Sequence, residues 1–201
     1  MEIKVNGQDI TLPRDLRQGS QQDLEEFWHG LEKKILCSGR VIEAVVIDGI
    51  PVYDNHLEAI ASTWPAIEKL EVITVPCAEA CRRLAGSLRS YLSGLLPHLE
   101  DLANEFYLGA GQQTWKRFEQ LLENLQWVVQ GLQVLAKSLP KPLPCALESC
   151  SQAFYQVTEE LWKAVERKDG FAIGDILRQE LAEQLELLEA ALGELEESGS
   201  W

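Results

Sequence analysis

The sequence predicts an α+β protein in two parts: a ββαββ domain over residues 1–76 and an antiparallel four-helix bundle over residues 77–201. Three observations carry that expectation. Short apolar runs alternate up to Val75, and two of them are broken by Asn6-Gly7 and Asp48-Gly49, pairs that supply the positive φ a two-residue hairpin turn requires. From Cys77 onward the apolar period switches to steps of three and four, the spacing of helices packed side by side. The breaks in that second pattern, LGAGQQ, SLPKPLP and RKDGF, are short, so consecutive helices should run antiparallel.

Taken in order, Ile3 and Val5 share one face of the first strand, and Ile10 and Leu12 lie on the returning arm. In SQQDLEEFWHGLEKKILCSG, Ser20 can cap a helix, with Asp23 placed three residues on to complete a capping box. Leu24, Phe27, Leu31 and Ile35 form its apolar stripe, and Gly39 suits its C-terminal end. VIEAVVIDGIPVY reads as the second hairpin, and a brief helix is expected around Leu57 to Thr63. The last strand, IEKLEVITVP, puts Leu70, Val72 and Thr74 on one side and Glu71, Ile73 and Val75 on the other. Pro76 has no N–H to continue a ladder, so the strand stops there and a helix begins at Cys77.

The first long helix carries its seam on Cys81, Ala85, Leu88, Leu92, Leu95, Leu99, Leu102 and Phe106. The second is expected to use Trp115, Phe118, Leu122, Leu125, Val129, Leu132, Ala136 and Leu139. Leu147, Cys150, Phe154, Val157, Leu161 and Ala164 line the third, and Leu181, Leu185, Leu188, Leu192 and Leu195 the fourth. Pro97 interrupts the first helix. It cannot donate to the carbonyl of Ser93, so a kink or a division into two helices is expected, with Gly94 close by.

Composition narrows the function classes. The 201 residues are 46% hydrophobic and 25% charged, ordinary values for a globular protein. Eighteen basic residues against 32 acidic ones give a net charge of −14, which repels phosphate backbones and anionic lipid, so neither nucleic acid nor a membrane is an expected partner. No apolar run is long enough to span a bilayer, and MEIKVNGQDITL does not read as a secretory signal. Five cysteines without framework spacing suit thiols in a reducing cytoplasm.

No catalytic, cofactor or metal constellation is expected. Cys77 and Cys81, together with Cys145 and Cys150, offer four thiols, but with three- and four-residue gaps where structural zinc sites favour two. Cys81 and Cys150 also fall in phase with the apolar seams, where a thiol acts as a small hydrophobe. A di-iron site needs two Glu-x-x-His pairs on bundle helices; Glu26 with His29 is one pair, in the wrong domain, and His56 and His98 lack the matching Glu. LGAGQQTW lacks the third glycine and the preceding strand of a dinucleotide motif. Four residues stand as candidates for partner binding: Trp28, Trp64, Pro97 and Trp162. Trp115 reads as core, and for Trp28 and Trp64 the competing reading is that they cover the helix of the first domain.

The strand order of residues 3–75 resembles the β-grasp, or ubiquitin-like, fold, in which a mixed sheet wraps one helix. That resemblance implies a docking domain. It does not extend to carrier chemistry, because the last strand runs on through VITVPCAEAC and has no free Gly-Gly tail. The VNG hairpin joined to GDILRQEL near the C-terminus is similar to uncharacterised bacterial proteins of two-part build, and the bundle resembles the helical chaperones that hold flagellar or secretion substrates. The expectation is therefore a cytoplasmic, non-enzymatic adaptor or chaperone-like protein with a protein partner, the bundle groove or a sheet edge providing the contact. The alternative is an enzyme or small-ligand binder with its site at the interdomain seam near Pro97 and Cys77. Homo-oligomerisation through the heptad seams is a third expectation.

Overall fold

A computed structural model describes residues 2–10, 20–64, 66–139 and 145–198, apart from the side chains of Cys145 and Ser198. Leu12 and the Cys145 thiol, both weighed above, lie outside that description. Residues 1–80 and 81–201 form two compact units. The fold is α+β.

In the first unit, five strands form a mixed sheet: β1 (Glu2–Val5), β2 (Gln8–Asp9), β3 (Arg40–Ile47), β4 (Ile50–Val52) and β5 (Lys69–Pro76). Their order is β2-β1-β5-β3-β4. The central β1–β5 pair is parallel and every other pair is antiparallel. Both hairpins turn on two residues, Val5 opposite Gln8 and Ile47 opposite Ile50. Asn6, Gly7, Asp48 and Gly49 all hold positive φ, the requirement that the two dipeptides meet. Asn6 does more than turn. Its amide nitrogen donates to Thr74 Oγ1 at 2.7 Å, and its Oδ1 accepts from the Thr74 N–H at 2.8 Å. Arg40 closes the same network from β3, donating to Thr74 Oγ1 at 2.8 Å and to the Thr74 carbonyl at 2.6 Å. A buried threonine thus has its polar groups matched by the hairpin turn and by a neighbouring strand.

Helix α1 (Gln21–Cys37) starts with the expected capping box: Ser20 accepts from the Asp23 N–H, and the Asp23 carboxylate accepts from the Ser20 N–H at 2.6 Å. Its buried face is Leu24, Trp28, Leu31 and Ile35. Here the expected stripe is corrected, since Trp28 takes the central place assigned to Phe27, which is only partly buried. The two are adjacent on the helix, so the spacing alone admits either, and the larger ring fills the core. Helix α2 (His56–Thr63) follows, burying Ile60.

The helical elements begin with α3 (Cys77–Gly109), whose first turn belongs to the first unit. It is one helix through Pro97, not two. Every residue of its expected seam is buried, from Cys81 to Phe106. Helix α4 (Gln112–Ser138) is rotated from expectation: Phe118, Leu125 and Leu132 are buried as predicted, but Thr114, Leu121, Val128 and Leu135 join them. Trp115, Leu122, Val129 and Ala136 are half-buried. Residues Leu121-Leu122 and Val128-Val129 present two apolar columns, and the sequence does not say which one faces inward.

Helix α5 (Cys145–Glu166) packs against a C-terminal rod made of α6 (Gly170–Asp175), a π-helical turn (Ile176–Leu181) and α7 (Ala182–Ser198). Buried Ile173, Leu177, Leu181 and Leu185 are spaced by three consecutive steps of four. On an α-helix each such step drifts about 40° around the axis, whereas the wider π turn keeps the column on one face. Along α3 the partners on the rod run backwards: Arg89 to Glu196, Ser93 to Glu189, Glu100 to Arg178 and Tyr107 to Asp175. The two are therefore antiparallel. Helices α3 and α4 are antiparallel by the same argument, with Arg117 on Glu105, Phe118 on Phe106 and Trp127 on Tyr91.

Candidate functional site

The displaced apolar column of α4 becomes the wall of a groove. Leu122, Leu125 and Val129 face Leu161 and Trp162 of α5 across a cleft of about 580 Å³, with Glu119, Glu123 and Gln126 at its edge. Leu125 and Leu161 are buried and form the floor. Trp162 is 54% exposed, an unusual position for so large a ring beside an apolar floor. Thr158 also lines the cleft, but its hydroxyl is turned back to the Tyr155 carbonyl at 2.8 Å. The arrangement sets apolar area beside two carboxylates.

The other nominated residues are placed differently. Trp28 is 1% exposed and belongs to the core of the sheet unit, its indole N–H donating to Glu32 Oε1 at 2.6 Å. What little of it reaches the surface lines a cleft shared with His29, Glu32 and His56. Trp64 packs partly buried on the same core. Pro97 is exposed on α3. None of these three lines the α4–α5 groove.

His29 pairs with Glu32 at 3.2 Å, not with the Glu26 of its Glu-x-x-His motif. Among the described residues no three His, Cys, Asp or Glu side chains are placed to hold a metal ion. Cys37, Cys77, Cys81 and Cys150 carry thiols without a disulfide. No helix among the described residues is long and apolar enough to cross a membrane.

Where α5 meets the π turn, Glu180 is drawn towards its neutral form by loss of hydration, by Glu160 as neighbour and hydrogen-bond partner, and by Asp175. Its carboxyl titrates above the ordinary value of 4.5. A folded-state pKa raised for an acid means that stability falls as pH climbs from that ordinary value through the raised one. Glu180→Gln is therefore expected to raise the melting temperature at neutral pH, with the difference vanishing near pH 4; thermal denaturation at the two pH values checks it. The signal for the π turn in the sequence is the run of four-residue steps from Ile173 to Leu185.

These features define an α+β protein whose helical unit carries an apolar groove with acidic edges. Residues 84–191 match the profile of a family described as Domain of unknown function (DUF8042), and the chain belongs to that family. The groove, the π turn and the α3 partners of the rod up to Glu189 all fall within the matched residues. No curated protein and no solved structure matches the chain.

Proposed function

We propose that this is a cytoplasmic, non-enzymatic interaction protein of adaptor or chaperone type, in which a β-grasp-like unit is joined to an antiparallel four-helix bundle. The strand order β2-β1-β5-β3-β4 and the antiparallel neighbours of α3 support those two fold readings. The bundle groove between α4 and α5 receives an amphipathic helix from a protein partner. Its apolar side chains sit on Leu125 and Leu161 against Trp162, and its flanking Lys or Arg residues face Glu119 and Glu123. The observation that carries this reading is Trp162, more than half exposed on the wall of an apolar cleft.

Large aromatic anchors of this kind dominate interface energetics, and truncation costs about 2 kcal/mol or more, roughly thirtyfold in affinity. Trp162→Ala should therefore abolish capture of a stoichiometric partner from the native cytoplasm while leaving the melting temperature nearly unchanged. Leu122→Glu should behave alike. Equal recovery of the same partner by both variants would count against the groove. Light scattering separates the remaining case: a dimer that both variants dissolve makes a second copy the occupant.

A further inference from the structure

We infer that the α4–α5 groove contains a subsite for a guanidinium group: an arginine of the partner helix lays its charge on the Trp162 ring and is held there by Glu119 and Glu123. This rests on the groove as the docking site and names the side chain that it selects. All three groups line one cleft, with Leu122 as apolar wall. Trp162 keeps more than half of its surface open to solvent, so the ring has area to give to a ligand. Glu119 and Glu123 stand one turn apart on α4, about 6 Å along the helix, close enough for the fork of one guanidinium to serve both. Neither carboxylate has an ion-pair or hydrogen-bond partner among the described residues. Two neighbouring cations are already paired: Lys163, next to Trp162, with Glu159 at 2.9 Å, and Arg117 with Glu105.

An apolar cleft alone would accept any aliphatic side chain, and a pair of carboxylates alone any cation. Their combination with an exposed indole is more selective. The face of a tryptophan ring is electron-rich and attracts a cation more strongly than that of any other aromatic side chain. A guanidinium is planar and weakly hydrated, so it stacks on the indole while its N–H edges stay free to donate to carboxylates. A lysine ammonium is compact and strongly hydrated, and gives up more water for the same contact. The aliphatic stem of an arginine also covers apolar surface, which Leu122 supplies here. On a chain of net charge −14, such a residue neutralises uncompensated charge at the point of contact, and a neutral or acidic side chain cannot.

The test titrates the intact chain with a fluorescein-labelled amphipathic helical peptide that has a leucine face and arginines one turn apart on its flank. Two counterparts replace the arginines with citrulline, which keeps the planar shape without the charge, or with lysine, which keeps the charge without the plane. The arginine peptide should bind tightest. Citrulline should weaken it about tenfold or more, the scale of a cation–π contact joined to a charge-assisted hydrogen bond, and lysine should fall between. Trp162→Leu, and separately Glu119→Gln with Glu123→Gln, should bring the arginine and citrulline peptides to within roughly twofold of each other. All three positions are exposed, so both variants should keep the native circular dichroism spectrum. The subsite is overturned by equal affinity of the arginine and citrulline peptides for the unaltered chain, by lysine matching arginine, or by a preference for arginine that survives in both variants. Absence of saturable binding at millimolar arginine peptide would also overturn it. Equal affinities that Leu122→Glu abolishes would remove the subsite and leave the groove standing, whereas partner capture untouched by Trp162→Ala and Leu122→Glu would remove the groove itself.

Discussion

Trp28→Ala is expected to destabilise the sheet unit by about 3–5 kcal/mol, the range for truncating a large aromatic in a well-packed core. The ring is almost wholly buried among Leu24, Leu31, Ile60 and Leu70, so its removal leaves a cavity that α1 and the sheet cannot fill without shifting. The substitution also leaves the Glu32 carboxylate without the indole donor now 2.6 Å away. Trp28→Phe keeps much of the volume and should cost distinctly less. Chemical denaturation, followed by hydrogen exchange of β3 and β5 amides, reports the effect where it arises. A loss well under 1 kcal/mol would contradict the core assignment. Trp162→Ala is the matched comparison, removing the same side chain from a groove wall with little change in stability, so that the two tryptophans separate folding from docking.

The second large effect is expected at Asn6. Asn6→Ala holds a φ of +49° without the short polar side chain that lets asparagine tolerate it, at a cost of about 1 kcal/mol, and removes both bonds to Thr74. The Thr74 N–H then sits buried without its partner, a further penalty of about 1–3 kcal/mol. Asn6→Gly isolates the clamp: glycine accepts the turn conformation freely, so only the Thr74 term is lost. The expected ranking by urea denaturation is wild type, then Asn6→Gly, then Asn6→Ala, with the total loss for alanine about 2–4 kcal/mol. Equal stability of wild type and Asn6→Gly would show that the side chain serves the turn alone.

Much of this architecture was legible because local chemistry and burial agree. Asn6-Gly7 and Asp48-Gly49 make the two-residue turns their φ preferences demand. Ser20 and Asp23 form the capping box. The whole α3 seam is buried in the register read from its spacing, since no second apolar column runs beside it along the length of that helix. Legibility failed where two apolar residues stand side by side. Phe27 and Trp28 on α1, and the paired columns on α4, leave a rotation of one residue undetermined by pattern, and only packing against other elements selects it.

That ambiguity bears on the site. Leu122 and Val129, expected to be core, instead form the groove wall opposite Trp162, so the groove arises from the surplus apolar column of α4. Trp162 itself is legible as a candidate from its position next to the α5 seam. The clamp of Asn6 on Thr74 joins residues far apart in sequence, and no local pattern announces it.

Photo-crosslinking from the groove tests the central claim most directly. A photoreactive phenylalanine analogue placed at position 162 and activated in a lysate of the native cells should form one dominant adduct. Mass spectrometry should locate the crosslink in a partner helix that has an aliphatic face and Lys or Arg flanks, and Leu122→Glu should remove it. A ladder of unrelated adducts that Leu122→Glu leaves intact would contradict a docking role for the α4–α5 groove.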